Sequence, residues 1–281
     1  MLIDGLWYAP YSMKIKEFQK IIWKFYRQNG RHDLPWRKNT SSYAVTVSEI
    51  MLQQTQVDRV IPFFKNWMKL FPNWKQLSLA KQTDILRAWK GLGYNSRALR
   101  LHKLAKEVVG KHHGRLPNDR LKLESLPGIG PYTAGAIRAF VFNEPEVFIE
   151  TNIRRIFIHH FFNDKENIAD ADIFGYVAET VDKEKARDWY WALMDYGSVL
   201  AKQIPNPNRK SKHYTKQSKF EGSDRQLRGK ILELLLENKK ISIQDLVKTL
   251  KEKKGRVEKI VKVLEKEGFI KNTRGSVSLL G

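Results

Sequence analysis

Residues 126–137 read LPGIGPYTAGAI, and Glu150 follows Gly130 by twenty positions, at the head of ETNIRRIFIHHFF (150–162). Gly128 and Gly130 flank the apolar Ile129, a spacing that lets the backbone turn tightly and come close to a ligand. Pro131 suits the first turn of a helix, where its missing N–H costs nothing. The N–H groups of such a helix start can cradle a phosphate. Leu126 and Ile129 are placed to anchor the hairpin in a core, and Ala134, Gly135 and Ala136 are small enough for close helix packing. A plain helix–helix connector would also turn here. The added carboxylate at the start of an apolar helix points further, to chemistry on a bound nucleic acid, although an acid at a helix N-terminus is also favoured by the macrodipole alone.

Outward from this stretch the pattern is helical. MKIKEFQKIIWKFYRQNG (13–30) carries helical spacing and stops at Gly30, and LPWR (34–37) reads as a turn. Ser42 through Phe71 reads as one long, mostly helical run ending at Pro72. LAKQTDILRAWKGLG (79–93) and SRALRLHKLAKEVVGKHHG (96–114) are amphipathic helices, each closed by glycine. Two more helices reach about Ala201, and strand signals are almost absent. Residues 203–224 break the pattern with Pro205, Pro207 and five cations before Glu221, as a linker or a surface-hugging loop does. From Arg225 come three helices, the second capped by Ser242 with Asp245 at the capping-box position. A pair of short strands around Arg274-Gly275 follows. That order is a winged helix, whose third helix would enter a major groove, though the same fold also serves as a protein–protein module. The expected architecture is all-α in two helical lobes, over 1–202, followed by a basic linker over 203–224 and a winged helix over 225–281.

Composition narrows the partners. The 281 residues carry 51 Lys+Arg against 30 Asp+Glu, a net charge of +21 and a pI near 9.9. Such a charge favours a polyanion, or else marks a Lys/Glu-rich thermophile-like surface. There is no cysteine, which removes disulfides, thiolate zinc sites and cysteine-ligated iron–sulfur clusters. No run is long enough to span a membrane, and MLIDGLWYAPYSMKIKEF has no signal-peptide layout. The expectation is a monomer in the cytoplasm.

Three further motifs carry chemistry. In SEIMLQQTQV (48–57), Glu49 lies beside Ile50, Met51 and Leu52. Desolvation raises the pKa of a carboxylate in such surroundings, which makes it a candidate general acid rather than a surface glutamate. Gln53 and Gln54 can reach base edges or fill a vacated stack. In GLGY (91–94), Tyr94 is either a wedge for a base stack or a core tyrosine. Glu150 and Asn152 complete the set, since Glu49 and Glu150 make the carboxylate pair that glycosidic chemistry needs.

Together LPWR, SEIMLQQTQV, WKGLGYNSRALRLH, LPGIGPYTAGAI, ETNIRRI and the later ALMDYG resemble the helix-hairpin-helix (HhH-GPD) DNA glycosylase superfamily, over roughly Phe18 to Leu200, and within it the MutY-type adenine glycosylases. The resemblance implies that Glu49 protonates N7 of the target adenine and that Glu150 stands for the family's essential aspartate. It implies that Gln53, Gln54 and Tyr94 contact or intercalate at the lesion, that the base is flipped out, and that Gly128, Ile129, Gly130 and Thr133 hold the DNA backbone. Departures from the family pattern are informative. Glu150 is one methylene longer than aspartate, a carboxylate shift of roughly 1.5 Å on a fixed backbone, and about 1 Å of misplacement can cost on the order of a hundredfold in rate. Tyr132 stands where a serine or the Schiff-base lysine is found, so strand cutting is not expected; it resembles the thymine–guanine mismatch branch, which keeps thymine or uracil as alternative substrates and a non-catalytic mismatch sensor as a further one. The four-cysteine cluster loop is absent, so no cofactor is expected, and Arg209, Lys210, Lys212 and Lys216 are expected to supply its phosphate contacts. Backbone carbonyls at the hairpin can hold a monovalent ion, though no side chain demands one. The expected partner is duplex DNA with a mismatch or lesion.

Overall fold

The structure is a computed structural model and describes residues 13–216 and 218–280; most of the opening stretch read above for a signal layout lies outside them. Among the described residues there are fifteen α-helices and one small sheet. In chain order they are α1 (Ile15–Asn29), α2 (Pro35–Lys38), α3 (Ser42–Leu52), α4 (Val57–Leu70), α5 (Trp74–Leu79), α6 (Gln82–Trp89), α7 (Ser96–His112), α8 (Arg120–Glu124), α9 (Pro131–Phe142), α10 (Thr151–Phe161), α11 (Asp170–Thr180), α12 (Ala186–Gln203), α13 (Asp224–Glu237), β1 (Ile241–Ser242), α14 (Ile243–Leu250), α15 (Lys254–Lys266), β2 (Ile270–Thr273) and β3 (Ser276–Leu279).

The chain divides into two compact units. The first holds residues up to Thr46, Pro117–Ser125 and Ile129–Lys216. Its core is aromatic. Phe18 and Ile22 come from α1, where apolar residues recur every three to four positions and so share one face. They pack with Phe140 of α9, Phe157 of α10, and Trp189 and Tyr190 of α12. Phe148, just before α10, stacks on Tyr190 with ring centroids 4.1 Å apart. The motifs LPWR and ALMDYG meet here. Arg37 sends two N–H groups to Asp195 at 2.7 and 2.8 Å, and Arg31 adds a third contact at 2.6 Å. Burial alone would raise the Asp195 pKa, but the Arg37 and Arg31 charges overcome it and hold the carboxyl below its usual range.

The second unit holds Val47–Leu116, Leu126–Gly128 and Gln217–Gly281. Trp67 of α4 and Trp89 of α6 meet edge-on at 5.4 Å in its interior. The run read as one helix from Ser42 to Phe71 is two, α3 and α4, separated at 53–56. Gln54 adopts φ +54°, a left-handed conformation that no helix contains, and this breaks the run although no glycine or proline announces it.

The last part of this unit is the winged helix. Ile231, Leu246, Val257, Ile260, Leu264, Phe269 and Val277 form one apolar cluster, which Leu86 of α6 and Leu99 of α7 join. Ser242 caps α14 by accepting the Asp245 N–H at 3.0 Å, while the Asp245 carboxylate accepts the Ser242 hydroxyl at 2.6 Å. β2 and β3 pair antiparallel across Arg274 (φ +51°) and Gly275 (φ +81°), a two-residue turn whose positive φ values match the strand twist. A short third strand, β1, pairs with β3 and was not anticipated, since two residues leave no periodic signal. Among the described residues no helix is long and apolar enough to cross a membrane.

Candidate active site and nucleic-acid interface

Tyr43 through Met51 of α3 are all buried. A helix apolar on every side is a core helix, and Glu49, only 5% exposed, lies within it among Val47, Ile50 and Met51. What fixes the end of α3 is Arg97, the second residue of α7. It is buried and donates from Nη1 to the carbonyls of Ile50 (2.9 Å), Met51 (2.9 Å) and Gln53 (2.6 Å). Its Nη2 reaches Thr55 Oγ1 (3.2 Å) and the Gly93 carbonyl (3.1 Å). One guanidinium therefore satisfies the orphan carbonyls of a helix end and ties them to the GLGY turn. Burial lowers its pKa to about 10, still protonated at neutral pH. In the sequence Arg97 leaves only one trace, a basic residue in the first turn of a helix, where the macrodipole disfavours it.

The two turns held by Arg97 carry the residues expected at a lesion. Gln53 is half-buried, and Gln54 is exposed with its left-handed backbone. Tyr94 is half-buried and also left-handed, φ +48°, directly after Gly93 at φ +81°. Such conformations cost of order 1 kcal/mol or more each in non-glycine residues and gather at functional turns. Tyr94 is not a core tyrosine. The Arg97 guanidinium lies 5.4 Å and that of Arg225, from α13, 5.3 Å from its ring centre, and Arg225 donates to its hydroxyl.

The hairpin joins α8 to α9. Leu126 and Ile129 are buried, the anchors the sequence suggested. Gly128 has φ +80°, and a Cβ there would come within 3.0 Å of the Arg100 side chain, so both backbone and space require glycine. Gly130 differs. It is the N-cap of α9 with an ordinary φ of −98°, and a Cβ would meet nothing within 4 Å. Neither conformation nor internal packing calls for glycine there. Thr133 is buried in the first turn of α9, and Tyr132 is half-buried with its ring edge-on to Phe148 at 5.8 Å.

Glu150 is the N-cap of α10. Its Oε1 accepts the N–H of Asn152 at 2.7 Å and of Ile153 at 2.9 Å, and Oε2 accepts from the Asn152 amide at 3.3 Å. Asn152 in turn accepts from Arg155 at 2.6 Å, and Arg155 also donates to the Gly197 carbonyl at 2.9 Å. Gly197 lets α12 approach this close: a Cβ there would stand 2.7 Å from the Asn152 carbonyl oxygen. The residue keeps partial solvent access while its carboxylate is packed in protein. Desolvation raises its pKa, outweighing the two N–H groups and the Arg155 and Arg154 charges that pull it down. Buried Asn208 donates to the Thr151 carbonyl at 3.0 Å and fixes the same helix start from the linker, a contact no motif foretold.

The four linker cations part company. Arg209, Lys212 and Lys216 are exposed. Lys210 is half-buried, donates to the Asn163 carbonyl and stands 3.5 Å from Glu166, so it is partly engaged in the fold. The segment hugs the first unit, with Ser211 bridged to Ile168. A cysteine-ligated cluster does not fit: the chain has no cysteine, and residues 207–210 form a short 3₁₀ turn. Among the described residues no group of three or more His, Asp or Glu is placed to hold a metal ion.

Comparisons with known proteins agree on the kind of molecule. The model for the HhH-GPD superfamily of base excision DNA repair proteins matches residues 47–173, and a winged helix-turn-helix DNA-binding model matches 224–271. The chain is 32% identical over 234 residues to the adenine DNA glycosylase of Mycobacterium tuberculosis (strain CDC 1551 / Oshkosh), covering 74% of this chain and 75% of that protein. It is 39% identical over 178 residues to the adenine DNA glycosylase of Buchnera aphidicola subsp. Schizaphis graminum, covering 63% of this chain. The chain spans about half the length of the Buchnera relatives it matches, 48%, 41% and 41%. Among solved structures, a thermostable thymine-DNA glycosylase aligns with TM-score 0.60 at 24% identity, covering 68% of this chain and 90% of that one; this is a likeness of fold alone.

Proposed function

Because the chain belongs to the HhH-GPD superfamily of base excision DNA repair proteins, we propose that it is a monofunctional DNA N-glycosylase that removes adenine mispaired with guanine or 8-oxoguanine. The observation that carries the reading is that the matched stretch holds two carboxylates, Glu49 buried inside an apolar helix and Glu150 bonded at a helix start. The adenine glycosylases of Mycobacterium and Buchnera support the choice of base.

In this reading the target base leaves the stack, because its glycosidic bond cannot be reached inside a duplex. Glu49 gives its proton to N7 of the adenine, so the base departs neutral with the electron pair of the C1′–N9 bond. The sugar left behind carries oxocarbenium character, and the Glu150 carboxylate stabilises it until water adds at C1′ and loses a proton. The N–H groups and Asn152 that grip Glu150 leave it little freedom to follow the sugar, which favours electrostatic stabilisation by preorganised charge. Tyr132 has no amine for a Schiff base, so the product is an abasic site in an uncut strand. Gln53, Gln54 and Tyr94 fill the vacated stack, and the 126–131 hairpin with Thr133, joined by Arg209, Lys212 and Lys216, holds the backbone. Exposed Lys254, Lys259, Lys262 and Lys266 on α15, with Lys271 and Arg274 at the wing, offer a second duplex contact. The protein would act as a monomer on DNA in the cytoplasm.

The test is incubation with duplexes carrying A:8-oxoG, A:G, T:G or U:G, followed by alkali. Cutting only at the adenine strand is the expected result. Cutting at T or U alone would overturn the choice of base, and binding without any product would overturn the enzymatic reading.

A further inference from the structure

Helix α7 and residues 126–128 of the hairpin belong to the same unit, and one face of α7 is not used by the fold. From Ser96 to Pro117 the chain carries six cations and one acid. Arg97 is spent on the end of α3, and the acid, Glu107, pairs with Lys111 at 2.8 Å. Arg100, Lys103 and Lys106 are left. All three are exposed, and among the described residues none of their side chains makes an ion pair or a hydrogen bond. Leu101, Leu104, Ala105 and Val108 fill the opposite, buried side of the helix. The fold therefore needs the apolar side of α7 and leaves its charged side without a partner.

A row of surface cations can simply be hydrated. The place of Arg100 argues for more. Its Cβ, Cδ and Cγ stand 3.0, 3.6 and 3.7 Å from the point a Cβ on Gly128 would occupy. The stem thus lies along the backbone of the hairpin, in space that only a glycine leaves open. Immobilising a long side chain on binding costs about 0.5–1.5 kcal/mol. A stem already packed against Gly128 has lost part of that freedom in advance, while its guanidinium stays unpaired. Arg100, Lys103 and Lys106 also follow one another at about 4.5 Å along the helix axis. That is near the roughly 3.4 Å axial step of phosphates along one strand, within the adjustment that long side chains allow. No asparagine or glutamine stands on α7, so the face offers charge to phosphates and little to the edges of adenines.

We infer that the exposed face of α7 is a track for the phosphate backbone of duplex DNA, starting at the hairpin with Arg100 and continuing through Lys103 and Lys106. It supplies affinity that depends on salt and not on sequence, and it holds damaged and undamaged duplex alike. The track deepens the glycosylase reading and rests on its DNA partner, not on its chemistry.

The test measures binding of the full chain to an undamaged duplex over a range of salt. The triple variant Arg100→Gln, Lys103→Gln, Lys106→Gln should lower the slope of log affinity against log salt by about 2 to 3, and Arg100→Gln alone by about 1. Arg100→Lys keeps the charge and should keep the slope. The control removes the same net charge elsewhere. Lys165, Lys183 and Lys185 are exposed and each stands next to an acid in the chain, so their joint change to Gln should leave the slope as it is. Melting temperatures equal to wild type are expected for both triple variants. An unchanged slope in the α7 variant, or an equal fall in the control, would overturn the track. An α7 variant that loses as much affinity for polyglutamate as for duplex would also overturn it, in favour of a face for acidic protein. Undamaged duplex offers nothing to excise, so the slope can fall as expected in a protein that removes no base, which refutes the enzymatic reading alone; excision with an unchanged slope refutes the track alone.

Discussion

Glu49 and Glu150 are both carboxylates in apolar helices, yet they are held in opposite ways. Glu49 sits inside α3, and its place is set by what surrounds that helix: buried neighbours on every side, and Arg97 clamping the carbonyls of the next two residues, Ile50 and Met51. Glu150 is held by its own helix, whose first N–H groups grip one oxygen. A group fixed by its surroundings fails when distant residues change. Glu150, capped by its own helix start, answers to its own side chain and to the few residues that hold that start, Asn152, Arg155 and Asn208. With its extra methylene the Glu150 side chain still caps the helix, Oε1 accepting the N–H groups of Asn152 and Ile153.

The largest expected effect tests the first carboxylate. Glu49→Gln should lower the excision rate by roughly 10²- to 10⁴-fold, the usual worth of a positioned general acid, with DNA binding kept; full activity would remove Glu49 from the chemistry. Glu150→Gln keeps an oxygen for the cap, so stability should change by less than about 1 kcal/mol, while the rate should fall on the order of a hundredfold. The pH profile sharpens this. Burial raises the Glu150 pKa and the sugar cation needs the ionised form, so the wild-type rate should fall as pH drops through a value above the usual carboxylate range. Glu150→Gln should lose that acid limb, and an unchanged limb would assign it to another group.

Arg97→Met probes dependence on surroundings. Five acceptors lose their donor, and unfolding should be easier by roughly 2–4 kcal/mol; a melting temperature equal to wild type would mean that the α3 end does not need the clamp. The smallest effect separates fold from chemistry at low pH. His160 of α10 is held to a pKa of about 3 by burial and then by His159, and contacts the Tyr196 hydroxyl at 3.1 Å. Its depressed value means the unfolded chain takes up the proton first. Stability is therefore full above about pH 6.5 and is lost on acidification, by roughly 1 kcal/mol at pH 5.5. His160→Phe should flatten the melting temperature over that interval without moving the acid limb of the rate.

What was legible in the sequence is what local chemistry dictates. Gly128 with its positive φ, the anchors Leu126 and Ile129, the Ser242 cap and the Arg274-Gly275 turn each depend on neighbours within a few residues. Glu150 as an N-cap was legible too, as the plain alternative to catalysis. Arg97 was not legible, because four of its five acceptors lie more than forty positions upstream and a carbonyl leaves no mark in a sequence. The break at Gln54 was missed because glutamine is an ordinary helix former, and its left-handed backbone has no signal in the neighbouring sequence. Arg225 and Asn208 were invisible for the same reason as Arg97: their partners, Tyr94 and Thr151, are remote in the chain.

The grip of Asn208 on the Thr151 carbonyl has a consequence for how such a chain can be recombined. Composition would place the joint between modules after residue 202. The fold moves it later, because residues 207–211 belong to the unit that presents Glu150. A graft of another carboxy-terminal module at position 203 would carry away a strut of the helix beneath Glu150, whereas a graft beyond Lys216 would keep it. The unit that presents Glu150 thus ends not where regular helices stop but where the last side chain reaches back, and exchange of one tail for another is expected to preserve it only downstream of that point.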